Sequence, residues 1–572
     1  MVFTAPAWVP HLPFDPPDSV PLHQFQFDEA YGRCPFQLSK SPFTCALSGA
    51  TNPVLDVKQR VEHLAQGLAK DMGWKPNIGS EWNKVVNIFS LNHIDYMTLT
   101  WAIQRLNGIC TPASASSTVE DLEFQLRDSQ AKAIFTCEPL LPIALQAAAA
   151  VGIPENHVYL IDRSDQTRTS TNLSCSRKSV QDLVTEGGKE PCLDAMLWEP
   201  GQGARQLAFL CYSSGTSGRP KGVQITHQNM IANVLQSFAL DSGRRKLKEK
   251  NGPSRTYTEY SLGVLPMSHA YTLTVLQLAT YRGDGILVLP NPDLIACFKV
   301  ISKYRISTLW LVPALIEMIL KIRNIAIGYD LTSVDNIVSG AAPLPEKTAD
   351  ALQRLLPQCR IRQGYGLTEA STVVCWTPDH DIWFKSVGSL LPGCEAKIIL
   401  ADGSEVSEHG VPGELFVRSP SISMGYHNDP QNTNDTFVDG WLRTGDQAMV
   451  CKSPLGNEHV VITDRIKDLI KVRGHQVSPL ELETFLLTHP AVSDCCVVPV
   501  PDARSGEVPK AFVVKHEQYR NSNCDEQVLR HEIQEYVKES KADYKRLAGG
   551  VEFIEVVPRG PGGKLLRRML RA

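Results

Sequence analysis

Residues 212–222 read YSSGTSGRPKG, which puts three glycines, five hydroxyl side chains and one lysine in eleven positions. Glycines let consecutive backbone N–H groups converge on one anion, hydroxyls add donors, and a lysine adds a point charge. Ser213, Ser214, Gly215, Thr216 and Ser217 with Lys221 therefore read as a clasp for an oligophosphate. A Walker loop is excluded, because Pro220 stands where its second glycine belongs and Gly222 replaces its hydroxyl residue. A serine-hydrolase elbow is excluded as well, since none of these serines sits in Gly-x-Ser-x-Gly. A solvated Ser-Gly turn is the bland alternative, and the apolar run LAFLCY leading straight into the loop argues against it.

Three further stretches carry weaker signals. In QGYGLTEAS, residues 363–371, Gln363, Gly364, Tyr365, Gly366, Thr368 and Glu369 combine glycines, an aromatic, a hydroxyl and a carboxylate. Tyr365 can cover a base, and Glu369 can hold a magnesium ion shared with phosphates; taken alone, a plain turn fits equally well. WLRTGD, residues 441–446, ends in Asp446, whose carboxylate can accept from two ribose hydroxyls, although a Gly-Asp turn is as good a reading. His269 in LPMSHAY would by itself be read as a satisfied core histidine.

Such a site needs a scaffold, and the chain supplies the pattern of one. From about residue 50 to 375 helical and strand periodicities alternate: Val57, Val61, Leu64, Leu68 and Met72 recur at helical spacing. The runs KVVNIFS, AIFTC, HVYLID, LAFLCY, GILVLP and TLWLVP read as buried parallel strands. Residues 164–200 and 242–256 are polar and patternless and are expected to be exposed loops. After residue 390, EAKIIL and GELFVRS predict a β-rich subdomain, and DRIKDLIKVRGHQVSPLELE opens a last unit with a helix from Pro479 and a strand at CCVVPV. The expected fold is α/β: a large amino-terminal domain over 1–463 with parallel sheets and a β-rich subdomain, a hinge at 464–467, and a small mobile α+β domain over 468–572.

Composition limits the function. At 572 residues the chain exceeds one core. A net charge of -4 and the lack of a basic stripe interleaved with aromatics speak against nucleic acid. Fifteen cysteines, odd in number and scattered without CxxC, fit a reducing compartment better than a disulfide framework. No secretory signal and no apolar run of membrane-spanning length is apparent, so the expectation is a soluble, cytoplasmic protein, monomeric or a weak homo-oligomer. A peroxisomal location is the alternative, though RRMLRA at the carboxyl end is not a peroxisomal address.

Order turns the weak signals into a strong one. YSSGTSGRPKG, LPMSHAY, SGAAP, QGYGLTE, WLRTGD, DRIKDLIKVRGHQVSP and PRGPGGKLLRR resemble, in sequence and spacing along nearly the whole chain, the core motifs of the acyl-adenylate-forming superfamily. The chain looks most like the 4-coumarate:CoA ligase branch and its fungal aryl-CoA ligases of the phenylacetyl-CoA ligase type. That resemblance implies ATP, Mg2+ and coenzyme A: a carboxylic acid is activated to an acyl-adenylate and then passed to the thiol of CoA.

Carried over by motif, Ser213 to Ser217 with Lys221 would hold the β- and γ-phosphates, Thr368 the α-phosphate and Glu369 the magnesium. Gln363, Gly364 and Gly366 would bind the nucleotide with Tyr365 flanking adenine, Asp446 would hold the ribose, and Arg465 would also reach the nucleotide. Lys564 would bridge substrate carboxylate and α-phosphate. Lys467 falls at the family hinge, Lys471 and Gln476 approach the adenylate, and Arg473 with Gly474 border the CoA path. His269, Tyr271, Val275, Ala341, Gly364, Thr372 and Val373 would line an apolar acid pocket suited to an aryl, arylalkanoic or medium-chain acid. Ala270 stands where amino-acid-activating relatives place an aspartate, which disfavours amino acids. Asn291-Pro292-Asp293 departs from the basic residue relatives commonly offer to CoA. Delivery to a carrier protein and a catalytically dead nucleotide-binding scaffold are the competing readings; intact Lys221, Glu369 and Lys564 speak against the scaffold.

Overall fold

The computed structural model describes residues 1–161, 177–213, 220–251, 256–473, 475–520, 525–560 and 565–571. Among them, two largely parallel sheets form the body of the molecule. One runs in the order Val158–Leu160, Ala133–Thr136, Val85–Phe89, Ile109–Ala113, Leu207–Ser213 and Lys221–Thr226, parallel except for its last strand. The other runs from Phe43–Cys45 through Gly285–Val288, Tyr260–Gly263, Thr308–Leu311, Asn336–Ser339 and Arg360–Leu367, all parallel, to antiparallel Thr372–Trp376 and Ser389–Leu390. The expected strands are all present, because a strand covered on both faces is a continuous apolar run. Val57, Val61, Leu64 and Leu68 are buried on one face of helix Val54–Met72, which ends at Gly73 with φ 68°.

An antiparallel sheet built on Glu395–Ile399, Gly413–Arg418, Trp441–Lys452 and Glu458–Arg465 forms the β-rich part. Beyond it, His475–Val477, Ile470–Val472, Gly506–Lys515 and Val492–Asp502 make a separate sheet, joined by Val551–Phe553. These last strands pack with helices Pro479–Leu486 and Glu526–Ser540 around their own apolar clusters, one from Ile470 to Val551 and one around Cys496, Val498 and Phe512. No helix among the described residues is long and apolar enough to cross a membrane.

Two expected loops contain helices. Within 164–200, Ser179 caps helix Val180–Gly187 in a capping box with Asp182. Its Val180, Leu183 and Val184 are buried, and Gly67 and Gly187 permit a backbone contact with helix Val54–Met72 that a Cβ would block at 2.1 and 1.8 Å. The basic run from residue 242 is the second half of helix His227–Asn251. Arg244 and Arg245 are almost fully buried there, because carboxylates meet them: Arg244 pairs with Asp241, one turn earlier on the same helix, at 3.0 Å and with Glu259 at 2.9 Å, and Arg245 with Asp284 at 2.8 Å. Asp241 also takes Arg362 at 3.0 Å and Arg282 at 3.3 Å. Burial alone would raise the Asp241 carboxyl; Arg244, Arg362 and Arg282 overcome it and hold the group well below the usual carboxylate range. This network locks strand Arg360–Leu367 to two helices, and that strand carries the site.

Candidate functional site

A cavity of about 1460 Å³ opens where the two parallel sheets, the β-rich sheet and the last unit meet. The strand Leu207–Ser213 turns back as Lys221–Thr226 with Ser213 opposite Lys221 in register, so both ends of the glycine-serine loop stand at the cavity wall. Ser214, Gly215, Thr216 and Ser217 lie outside the described residues, as do Gly474 and Lys564.

QGYGLTE is not a turn. Gln363 to Leu367 complete strand Arg360–Leu367, and Thr368–Ala370 follow as a single 3-10 turn. Gly364, Tyr365, Gly366, Thr368 and Glu369 all line the cavity. Gly366 has to be glycine: a Cβ there would lie 1.4 Å from the Thr372 carbonyl oxygen. The return strand is reached through Ser371 and Thr372 at φ 53° and 118°, and Ala341 on the opposite wall has φ 69°. Each such non-glycine costs on the order of 1–3 kcal/mol, and strain of this kind gathers where the surroundings over-determine the backbone. Gln363 is different. It is buried, with Oε1 accepting from Leu344 N and Nε2 donating to the carbonyls of Phe384 and Ser386, so it braces the strand rather than facing the cavity.

At the phosphate end, Glu369 Oε1 accepts from Ser213 Oγ at 3.2 Å and from Tyr426 OH at 2.9 Å. Lys221 Nζ donates to Asn432 Oδ1 at 2.6 Å and lies 4.8 Å over the Tyr426 ring. A magnesium ion typically takes one or two carboxylates plus substrate phosphate oxygens. The oxygen donor of Glu369 beside the glycine-serine loop fits that requirement, and no cluster of three or more His, Cys, Asp or Glu able to hold a metal by themselves occurs among the described residues.

At the nucleoside end, WLRTGD forms the first half of strand Trp441–Lys452 and sets Asp446 opposite Arg465. Asp446 accepts from Tyr365 OH at 2.7 Å and pairs with Arg465 at 3.4 Å. Burial and the Asp446 carboxylate push the Tyr365 phenol well above its ordinary value, so it stays a donor. Asp446 itself is buried behind the cavity wall, which Tyr365, Gly445 and Arg465 form beside it.

The wall expected to meet the acid is aromatic. His269 accepts from Tyr271 N as the cap of helix Ala270–Arg282, so its ring is held at the mouth of the pocket rather than in the core. Tyr271 OH donates to Val338 O at 3.2 Å, the Tyr271 and Trp310 rings meet in a T-shaped pair at 6.4 Å, and Trp376 lies tilted against Trp310 at 5.6 Å. Val275, Ala341, Thr372 and Val373 join this wall. Ala270 is buried and brings no carboxylate. Asn291 and Pro292 line the rim, while Asp293 caps helix Leu294–Tyr304.

From the last unit, Gly560 and Leu566 face the cavity. Nearby, Arg559 pairs with Asp494 at 2.9 Å and Arg567 with Glu483 at 2.6 Å. Lys467 also lines the cavity. Lys471, Arg473 and Gln476 do not; they are exposed. Tyr426 and Asn432 are site residues that no motif pointed to, and only their contacts with Glu369 and Lys221 reveal them.

Residues 55–427 match the AMP-binding enzyme family, and residues 481–564 match the AMP-binding enzyme C-terminal domain. The chain belongs to the AMP-binding enzyme family. Among its relatives, the acyl-CoA ligase AKT1 of Alternaria alternata is 41% identical, covering 100% of this chain and 97% of that one. The acyl-CoA ligase easD of Emericella nidulans is 37% identical over the full length of both. A crystal structure of the anthranilate CoA ligase AuaEII in complex with anthranoyl-AMP shares the fold of this AMP-binding enzyme, with a TM-score of 0.79 at 22% identity and 97% of each chain covered.

Proposed function

We propose that this AMP-binding enzyme is an acyl-CoA ligase that converts a carboxylic acid, Mg-ATP and CoA to acyl-CoA, AMP and pyrophosphate through an acyl-adenylate. One observation carries the reading: a single cavity has Lys221, Glu369 and Ser213 at one end, Tyr365 backed by Asp446 at its side and an aromatic acid pocket beyond. The full-length likeness to acyl-CoA ligases supports it.

In the first step the acid's carboxylate attacks the α-phosphate and pyrophosphate leaves. Two anions have to approach, and only preorganised cations and N–H donors offset their repulsion. Lys221 and Ser213 to Ser217 hold the leaving phosphates, Thr368 donates to the α-phosphate, and Glu369 holds the magnesium, which neutralises phosphate charge. Asp446 and Arg465 fix the nucleoside, with Tyr365 against the base. Lys564 bridges the two reacting groups. In the second step the CoA thiol attacks the acyl carbon and AMP departs, with Lys471, Arg473, Gly474 and Gln476 brought to the site by a turn of residues 468–572 about Lys467. The large unit is residues 1–463.

The Tyr271, Trp310 and Trp376 wall suits an uncharged body, so aryl, arylalkanoic or medium-chain acids are the proposed substrates, in keeping with a 4-coumarate:CoA ligase-like enzyme of the phenylacetyl-CoA ligase type. Amino acids are refused, because burying an ammonium beside Ala270 without a partner is costly. Acid-dependent pyrophosphate release across a panel of aryl, fatty and amino acids, with and without CoA, tests this. Stoichiometric AMP and acyl-CoA are expected; ADP as product, or an α-amino acid as best substrate, overturns it. Release that needs no CoA, with no thioester formed when CoA is added, would favour a carrier protein as acceptor, and Asn291-Pro292 at the rim makes that arm informative.

A further inference from the structure

We propose that Tyr426 is the positioning residue of the phosphate end, setting the Glu369 carboxylate through its hydroxyl and the Lys221 ammonium through its ring face. The inference rests on the acyl-CoA ligase reading and extends it to a residue outside every motif. The backbone makes the assignment. Residues 423–427 run beside strand Lys221–Thr226 as an added strand: Met424 N donates to Gln224 O, Gln224 N to Gly425 O and His427 N to Gly222 O, at 3.0, 3.0 and 2.7 Å. Tyr426 pairs with Val223 as a bridge, and Ser423 N donates to the carbonyl of Glu369 at 2.9 Å. One short segment is thus hydrogen-bonded both to the strand that carries Lys221 and to the turn that carries Glu369.

The side chain repeats this arrangement. Its hydroxyl and that of Ser213 both donate to Glu369 Oε1, which orients the carboxylate and, among the described residues, keeps Oε2 clear for a cation. The ring lies edge-on to Phe437 at 5.8 Å and presents its face to Lys221 at 4.8 Å. Tyr426 N, bonded to Thr433 Oγ1 at 2.9 Å, fixes the turn from the far side. The distance between the carboxylate for the metal and the ammonium for the phosphates is therefore set by one aromatic ring.

The two halves of the role separate by substitution. The test uses calorimetric ATP binding to the full chain over a Mg2+ series and in EDTA, AMP binding as control, and Mn2+ binding by electron paramagnetic resonance. Tyr426→Phe keeps the ring and loses the hydroxyl: the Mg2+ concentration for half-maximal ATP binding, and the Mn2+ affinity, should shift about tenfold, with metal-free ATP binding unchanged. Tyr426→Leu should in addition weaken metal-free ATP binding about threefold and leave AMP, which lacks the outer phosphates, unaffected. A Tyr426→Phe titration that overlays wild type overturns the proposal, even if the melting temperature falls, and so does an equal loss of AMP and ATP binding in Tyr426→Leu. If wild type itself binds no Mg-ATP, the ligase reading falls and takes this inference with it; if wild type binds and the variants match it, only the inference falls.

Discussion

The small carboxyl-terminal unit places some of its residues at the cavity and leaves others exposed. Arg559, Gly560 and Leu566 line the cavity, whereas Lys471, Arg473 and Gln476 are exposed outside it. Lys564, which follows Gly560 in sequence, and the Lys471, Arg473 and Gln476 set are both proposed to act on one adenylate. A single orientation cannot offer both, which is the physical case for a turning unit. The attachments differ in the same sense. Strand Arg360–Leu367 is bolted into the large unit by buried ion pairs at Asp241. Across residues 464–467 the described residues make polar contacts, among them Leu480 N to Asp464 Oδ2 at 3.0 Å, Ser478 Oγ to Thr463 O at 3.3 Å, Gln447 Nε2 to Gln476 Oε1 at 3.4 Å and Lys347 Nζ to Leu487 O at 3.2 Å.

That contrast can be broken at several points. The largest effect is expected at Asp241→Ala, which strands buried arginines and should cut stability by roughly 3–5 kcal/mol, read as a lowered denaturation midpoint; a loss below about 1 kcal/mol would remove the rigid half of the comparison. Next, Lys564→Ala should lower acid-dependent pyrophosphate release on the order of 10²- to 10³-fold and leave thioester formation from synthetic acyl-adenylate and CoA nearly intact. Equal losses in both half-reactions would mean one static site.

Acid should act on the large unit through His227, which is fully buried, accepts from Leu22 N at 2.9 Å and is pushed down to about 3 by burial. Its neutral folded form stabilises fully above the unfolded value near 6.5, and stability falls as pH drops from there toward 3, by roughly 1.4 kcal/mol per pH unit from this group. His227→Gln should flatten that slope in urea titrations at stepped pH; an unchanged slope would remove His227 as its source. The smallest effect belongs to the contacts across 464–467. Asp464→Ala removes the acceptor for Ser478 and Leu480, worth about 1 kcal/mol, so pyrophosphate release should drop about fivefold while thioester formation holds or rises. A drop in both would place Asp464 in the fold rather than in the docking.

The parallel strands were legible because burial on both faces leaves no polar position to interrupt the run, as in AIFTC and TLWLVP. The run from residue 242 was misread for the opposite reason: Arg244 and Arg245 look solvated until Glu259 and Asp284 arrive from other elements. Helix Val180–Gly187 announced itself only by its capping box, within a segment otherwise poor in apolar periodicity.

By itself the sequence determined which chemistry is available, since hydroxyls, glycines and Lys221 within one short loop and Glu369 among glycines carry their meaning in local spacing, which tertiary folding does not alter. It also determined the alternation of strands and helices, a period imposed by burial. Only the tertiary structure decided who partners whom: that Gln363 braces its strand, that Asp446 is shared between Tyr365 and Arg465, and that Tyr426 stands between Glu369 and Lys221. Those pairings join residues up to two hundred positions apart, and in a chain no local rule encodes a contact whose two halves are brought together by the packing of separate sheets.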